Sequence, residues 1–99
     1  MKIYISGKIS GTNLTETRKR FAAAAKVTKK LGYEPVNPFE NGLTEHDTWE
    51  AHIVKDIATL LQCKAIYMLQ GWQDSKGARI EHYIATEIGM PITYEIEKL

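Results

Sequence analysis

Glu81 and Asp56 are the two residues of this chain whose placement most asks for a chemical explanation, because each acid interrupts an apolar helical stripe. Stepping back three or four residues from Ile84, Ala85 and Ile88 lands on Glu81. Stepping from Trp49 to Ile53 and Leu60 at helical intervals passes through Asp56. An inward-facing carboxylate is costly unless it is paired or hydrogen-bonded. Each acid taken alone has an ordinary reading. Glu81 can sit at the edge of its stripe with its head in water, or pair with Arg79 or Lys76; Asp56 can pair with Lys55 or Lys64. Taken together they point further, since two carboxylates facing one crevice from flanking helices form the acid and base, or acid and nucleophile, that glycosyl-transfer chemistry uses.

The elements that must position them follow from the pattern around each acid. Ala65 to Leu69 is an apolar strand that runs into the turn residues of Gln70 to Ser75, and a helix-period segment containing Glu81 begins near Gly77. Loops at the carboxyl ends of strands border the crevice of open α/β sheets, and the free N–H groups of the next helix face it. Ser75 can therefore cap that helix, or bind an anion together with its N–H groups, or do both. Upstream, Lys2 to Ser6 reads as the first strand, followed by a glycine-rich loop to Gly11. Asn13 and Glu16 have capping-box spacing, and Phe21, Ala24, Ala25, Thr28 and Leu31 repeat at helical intervals until Gly32. Tyr33 to Val36 is a short strand ended by Asn37-Pro38, and Phe39 to Asp47 is a loop near the same rim. Trp49, Ile53, Ile57, Leu60 and Leu61 mark the helix that carries Asp56, and Pro91 to Tyr94 is a last strand.

Alternating strands and helices imply right-handed βαβ crossovers and a parallel sheet covered on both faces. The expected fold is flavodoxin-like, a doubly wound α/β/α arrangement in three layers with strand order 2-1-3-4. The Gly7 loop and the Ser75 loop should then face each other across the topological switch point.

Residues 1–99 have room for a single domain and one site. Lys plus Arg is 13 against 12 for Asp plus Glu, which offers no electrostatic footprint for a nucleic-acid polymer or an anionic membrane, so a small ligand is expected. The N-terminus has no apolar run of signal-peptide length and no segment reaches the ~20 apolar residues of a membrane span, so a cytoplasmic protein is expected. Cys63 is the only cysteine, which excludes an internal disulfide and suggests a buried thiol. His46, His52 and His82 share no ligand spacing, so no metal is expected, and they read as surface or supporting residues. Gly7-Lys8 lacks P-loop spacing and no Gly-x-Gly-x-x-Gly occurs, which argues against nucleotide triphosphatases and dinucleotide oxidoreductases.

The residues Tyr4-Ile-Ser-Gly-Lys-Ile-Ser-Gly11, Asn37-Pro38-Phe39, Asp56 ahead of Cys63-Lys-Ala-Ile-Tyr-Met-Leu69, and Gly71-Trp72 through Ser75-x-Gly77-x-x-x-Glu81-x-x-x-Ala85 resemble the nucleoside 2-deoxyribosyltransferase superfamily, especially its short bacterial and phage members. The resemblance covers nearly the whole chain. It implies that Glu81 is the nucleophile that attacks the anomeric carbon and that Asp56 assists. It places Tyr4, Gly7, Lys8 and Ile9 of the first loop, with Ser75 and Gly77, against the sugar, base and 5′ group, and it implies no cofactor and a homodimer or higher homo-oligomer. Trp49 and Trp72, near the presumed rim, supply apolar surface for such a partner. Ser75 and Ala78 stand where transferases usually carry aspartate and threonine, and Tyr83 replaces a family glycine. Serine at that place is similar to deoxyribonucleoside 5′-monophosphate N-glycosidases of the same superfamily. The expected function is cleavage or transfer at the N-glycosidic bond of a 2-deoxynucleoside or its 5′-monophosphate. A catalytically inactive nucleotide-binding or sensing module is the alternative, and a scaffold subunit is a third reading that predicts no pocket.

Overall fold

A computed structural model describes residues 1–96. In chain order the elements are β1 (Lys2–Ser6), α1 (Leu14–Lys30), β2 (Glu34–Val36), α2 (Trp49–Leu60), β3 (Ala65–Met68), α3 (Lys76–Glu87) and β4 (Ile92–Tyr94), with short 3-10 turns at Pro38–Glu40 and Trp72–Asp74. All strand pairs are parallel and the sheet order is β2-β1-β3-β4, as the alternation of strands and helices requires.

The two-residue period of β1 and β3 divides the core. Ile3, Ile5, Ala65, Tyr67 and Leu69 pack with Phe21 and Ala24 of α1 on one face. Tyr4, Ile66 and Met68 pack with Leu60, Ala78 and Ala85 of α2 and α3 on the other. This alternation decides the site, because it sends the polar atoms of Tyr4 and Ser6 toward the face that α3 covers.

Side-chain caps set the helix starts: Asn13 accepts from Glu16 N–H, Thr48 from Ala51 N–H and Ser75 from Ala78 N–H. The expected apolar stripes run one residue too far at the other ends. Leu31, Leu61 and Ile88 are 62%, 55% and 54% exposed, and each is the C-cap of its helix. At a C-cap the chain is already turning toward the next strand, so a residue in helical phase no longer lies over the sheet. Cys63 is buried as expected, and its thiol donates to Thr59 O at 3.4 Å.

Candidate active site

Two strand residues on one face hold Glu81. Tyr4 Oη donates to Glu81 Oε2 at 2.9 Å, and Ser6 Oγ donates to Oε1 at 2.6 Å. The Ser6 carbonyl accepts Leu69 N–H at 2.8 Å, which ties the end of β1 to β3 and fixes the serine beneath α3. Glu81 is only 5% exposed, flanked along its helix by buried Ala78 and Ala85. Burial pushes its carboxyl up to about 7; the Asp56 charge adds to the rise, and the Ser6 and Tyr4 hydrogen bonds oppose it. Tyr4 is raised well above the ordinary tyrosine range, first by burial and then by the facing carboxylate, so it stays a hydroxyl that donates.

Asp56, on α2, is half-buried and is likewise raised by burial, against the lowering effects of the Asn41 amide, the His52 ring and the Tyr4 hydroxyl. Asn41 Nδ2 donates to Asp56 Oδ1 at 3.0 Å. The cationic partners that would have made Glu81 unremarkable are engaged elsewhere: Arg79 donates to Gln73 O at 2.8 Å, and Lys76 lies 4.4 Å from the Trp49 ring.

Both acids border one cavity of about 440 Å³. That volume lies in the range of small-molecule pockets. Tyr4, Gly7, Ile9, Ser75 and Gly77 line it, so the Gly7 and Ser75 loops do face each other. Gly7 packs closely, since a Cβ there would stand 3.0 Å from Leu69 Cβ and 3.2 Å from Phe21 Cζ and both side chains would have to shift to admit it. Lys8 borders an adjoining hollow of about 250 Å³ beside Asp74 and Lys76, which shares Ser10, Trp49, Ser75 and Gly77 with the cavity.

Ser75 Oγ accepts Ala78 N–H at 3.1 Å, and the N–H groups of Lys76 and Gly77 have no hydrogen-bond acceptor among the described residues. The loop Phe39 to Asp47 reaches the rim as expected and supplies Phe39, Asn41 and Leu43 to the cavity. Sequence reasoning missed Ser6, Arg18, Asn41 and His52 as parts of the site. Arg18 lies 4.7 Å from the Phe39 ring, which itself packs edge-on against Phe21 at 5.2 Å, and the two form one wall. Among the described residues no group of three or more His, Cys, Asp or Glu side chains is placed to hold a metal, and none of the helices is long and apolar enough to cross a membrane.

The parallel 2-1-3-4 sheet with helices α1, α2 and α3 matches the fold of a solved 2-deoxyribosyltransferase. A solved structure described as the 2-deoxyribosyltransferase of the psychrotolerant bacterium Bacillus psychrosaccharolyticus superposes with a TM-score of 0.71 at 20% identity, covering 99% of this chain and 77% of that one. Residues 1–94 match the family described as a domain of unknown function, DUF4406, and the chain belongs to that family. No curated protein matches it significantly in sequence.

Proposed function

We propose that this domain acts at the N-glycosidic bond of a 2-deoxynucleoside or its 5′-monophosphate, with Glu81 as nucleophile. The observation that carries the reading is a buried carboxyl whose two oxygens are held by Ser6 and Tyr4, beside a second acid on the same cavity. Ionised Glu81 attacks C1′ as the C1′–N bond breaks, giving a covalent glycosyl-enzyme. The base leaves with the bond's electron pair and takes a proton from Asp56. Water or a second base then attacks C1′, releases Glu81, and returns a proton to Asp56. The Tyr4 and Ser6 hydroxyls hold Glu81 in one orientation throughout, which supplies the near-attack geometry on which such a displacement depends. The test is turnover of each deoxynucleoside and deoxynucleoside 5′-monophosphate; a protein that binds them tightly and cleaves or transfers none supports the sensing-module reading instead. The cavity argues against a scaffold subunit, which needs no pocket.

The 5′ end of the ligand falls to the start of α3 in this reading. The Ser75 hydroxyl keeps its own hydrogen for a ligand while its oxygen caps Ala78, and the open N–H groups of Lys76 and Gly77 lie alongside. Ser75→Ala should weaken binding of a 5′-monophosphate by roughly tenfold or more, because a charge-assisted hydrogen bond contributes about 1.5–3 kcal/mol. A free nucleoside should lose much less. Calorimetry with both ligands decides the matter, and equal losses would remove the phosphate assignment.

Self-association belongs to the same proposal, although the two tryptophans are not its basis. Trp49 has Lys76 over its ring and Trp72 stacks on His82 at 4.2 Å, and with both partly buried neither stands out as a widely exposed apolar side chain. Val54, Leu61 and Tyr83 do, at 68%, 55% and 64% exposure. Light scattering should return at least a dimer at micromolar concentration, and a monomer of full activity would rule it out.

A further inference from the structure

Asn41 has its amide orientation dictated by the backbone. Its Oδ1 accepts Leu43 N–H at 2.9 Å, so the nitrogen must occupy the other end of the amide. From there Nδ2 donates one hydrogen to Asp56 Oδ1 at 3.0 Å, and it lies 3.4 Å from His52 Nδ1. The His52 ring is fixed from its far side. Nε2 lies 2.7 Å from Thr44 O, and a carbonyl can only accept, so Nε2 carries the hydrogen. In the neutral ring Nδ1 then holds a lone pair, which is what the second hydrogen of Asn41 requires. Every donor in this chain of contacts finds an acceptor in one arrangement only: Thr44 carbonyl, His52, Asn41, Asp56.

We propose that Asn41 is a positioning residue for Asp56, and that His52 in its Nε2–H form holds Asn41 to that task. The consequence concerns one atom. With Oδ1 receiving the Asn41 hydrogen, Oδ2 is the oxygen of Asp56 on which a proton rests, so the acid offers its proton from a defined place. The loop that carries Asn41 and Thr44 is tied to α2 by the same contacts, since Asp56 and His52 stand one helical turn apart on one face. A residue of that loop and a residue of that helix thus fix the acid jointly. The inference rests on the glycosidic reading for its kinetic meaning, while its geometry can be tested without turnover.

The decisive variant is Asn41→Asp, which keeps the acceptor for Leu43 N–H and removes both donors; Asn41→Leu removes them without adding charge. On a natural nucleobase substrate, kcat should fall by roughly 10–100-fold with KM within about threefold, the size expected when a general acid is misplaced but not deleted. On a 2-deoxyriboside with a nitrophenolate leaving group, which departs without protonation, the loss should be less than about threefold. Equal losses on the two substrates, or none on the first, overturn the proposal. Should the unmodified protein turn over neither substrate, the glycosidic reading fails and nuclear magnetic resonance decides this one. Nitrogen-15 spectra should show His52 as the Nε2–H tautomer, and the Asp56 carboxyl should titrate at higher pH in Asn41→Leu than in the parent. A His52 proton on Nδ1, or an unmoved Asp56 titration, overturns the proposal in that case.

Discussion

Glu81→Gln should lower turnover of any 2-deoxynucleoside or 5′-monophosphate substrate by roughly a thousandfold or more, equivalent to about 4 kcal/mol of transition-state stabilisation, while ligand affinity stays within about tenfold. The amide keeps the length and shape of the carboxyl, and its oxygen still accepts from one of Tyr4 or Ser6. The other hydroxyl can turn to accept from the new NH2 group, since a hydroxyl serves in either sense. The cavity wall therefore survives. What is lost is an anionic oxygen able to bond to C1′, an interaction made only as the reaction proceeds, so the change falls on kcat and spares ground-state binding. Steady-state kinetics with calorimetry on the same preparation is the measurement. Undiminished turnover would remove Glu81 from the chemistry. A loss of binding as large as the loss of rate would assign it to holding the ligand.

Much of this arrangement was legible in the sequence, for reasons particular residues make clear. Glu81 stood out because Ala85, one turn away, is a small apolar residue that must face the sheet, and the sheet order followed from strands alternating with helices. Asp56 stood out from Ile53 and Leu60 in the same way. Ser6 did not, because a serine ahead of a glycine reads as the start of a turn. Its role comes from sharing a face of β1 with Tyr4, and only the packing of α3 over that face shows that it meets Glu81. Asn41 and His52 were hidden for another reason. Their partners lie 15 and 8 residues away across an aperiodic loop, where spacing carries no signal. Lys8 stands beside the right glycine and borders an adjoining hollow that shares Ser75 and Gly77 with the cavity. Helix ends set the remaining limit, because an apolar residue in phase at a C-cap, such as Leu61 or Ile88, is indistinguishable by period from one on the sheet.

The second large effect concerns pH, and it opposes stability to chemistry at the same carboxyl. Glu81 has its folded-state value raised from 4.5 to about 7, chiefly by burial. The folded protein therefore binds this proton more tightly than the unfolded chain does. Its contribution to stability is fully present below pH 4.5 and is lost as pH rises through about 7. At about 1.4 kcal/mol for each unit, the difference amounts to roughly 3 kcal/mol between mildly acidic and mildly alkaline solution. Glu81→Gln removes the titration and should keep that stability. Its melting temperature should stay near the parent's at pH 4.5 and exceed it by roughly 12–24 °C at pH 8, given the size of the domain. Asp56 is raised in the same direction, but it is present in both proteins and largely cancels from the comparison. The reaction needs the opposite form. Only ionised Glu81 is a nucleophile and only protonated Asp56 can donate to the leaving base, so the parent's kcat/KM should climb as Glu81 ionises toward pH 7 and fall again where Asp56 gives up its proton. Thermal melts and rate profiles on the same buffers test the two halves together. A Glu81 left solvated on opening of the cavity would flatten the stability difference and move the acid limb of the rate profile toward pH 4.5, whereas a buried one makes the domain lose stability over the same pH range in which its nucleophile forms.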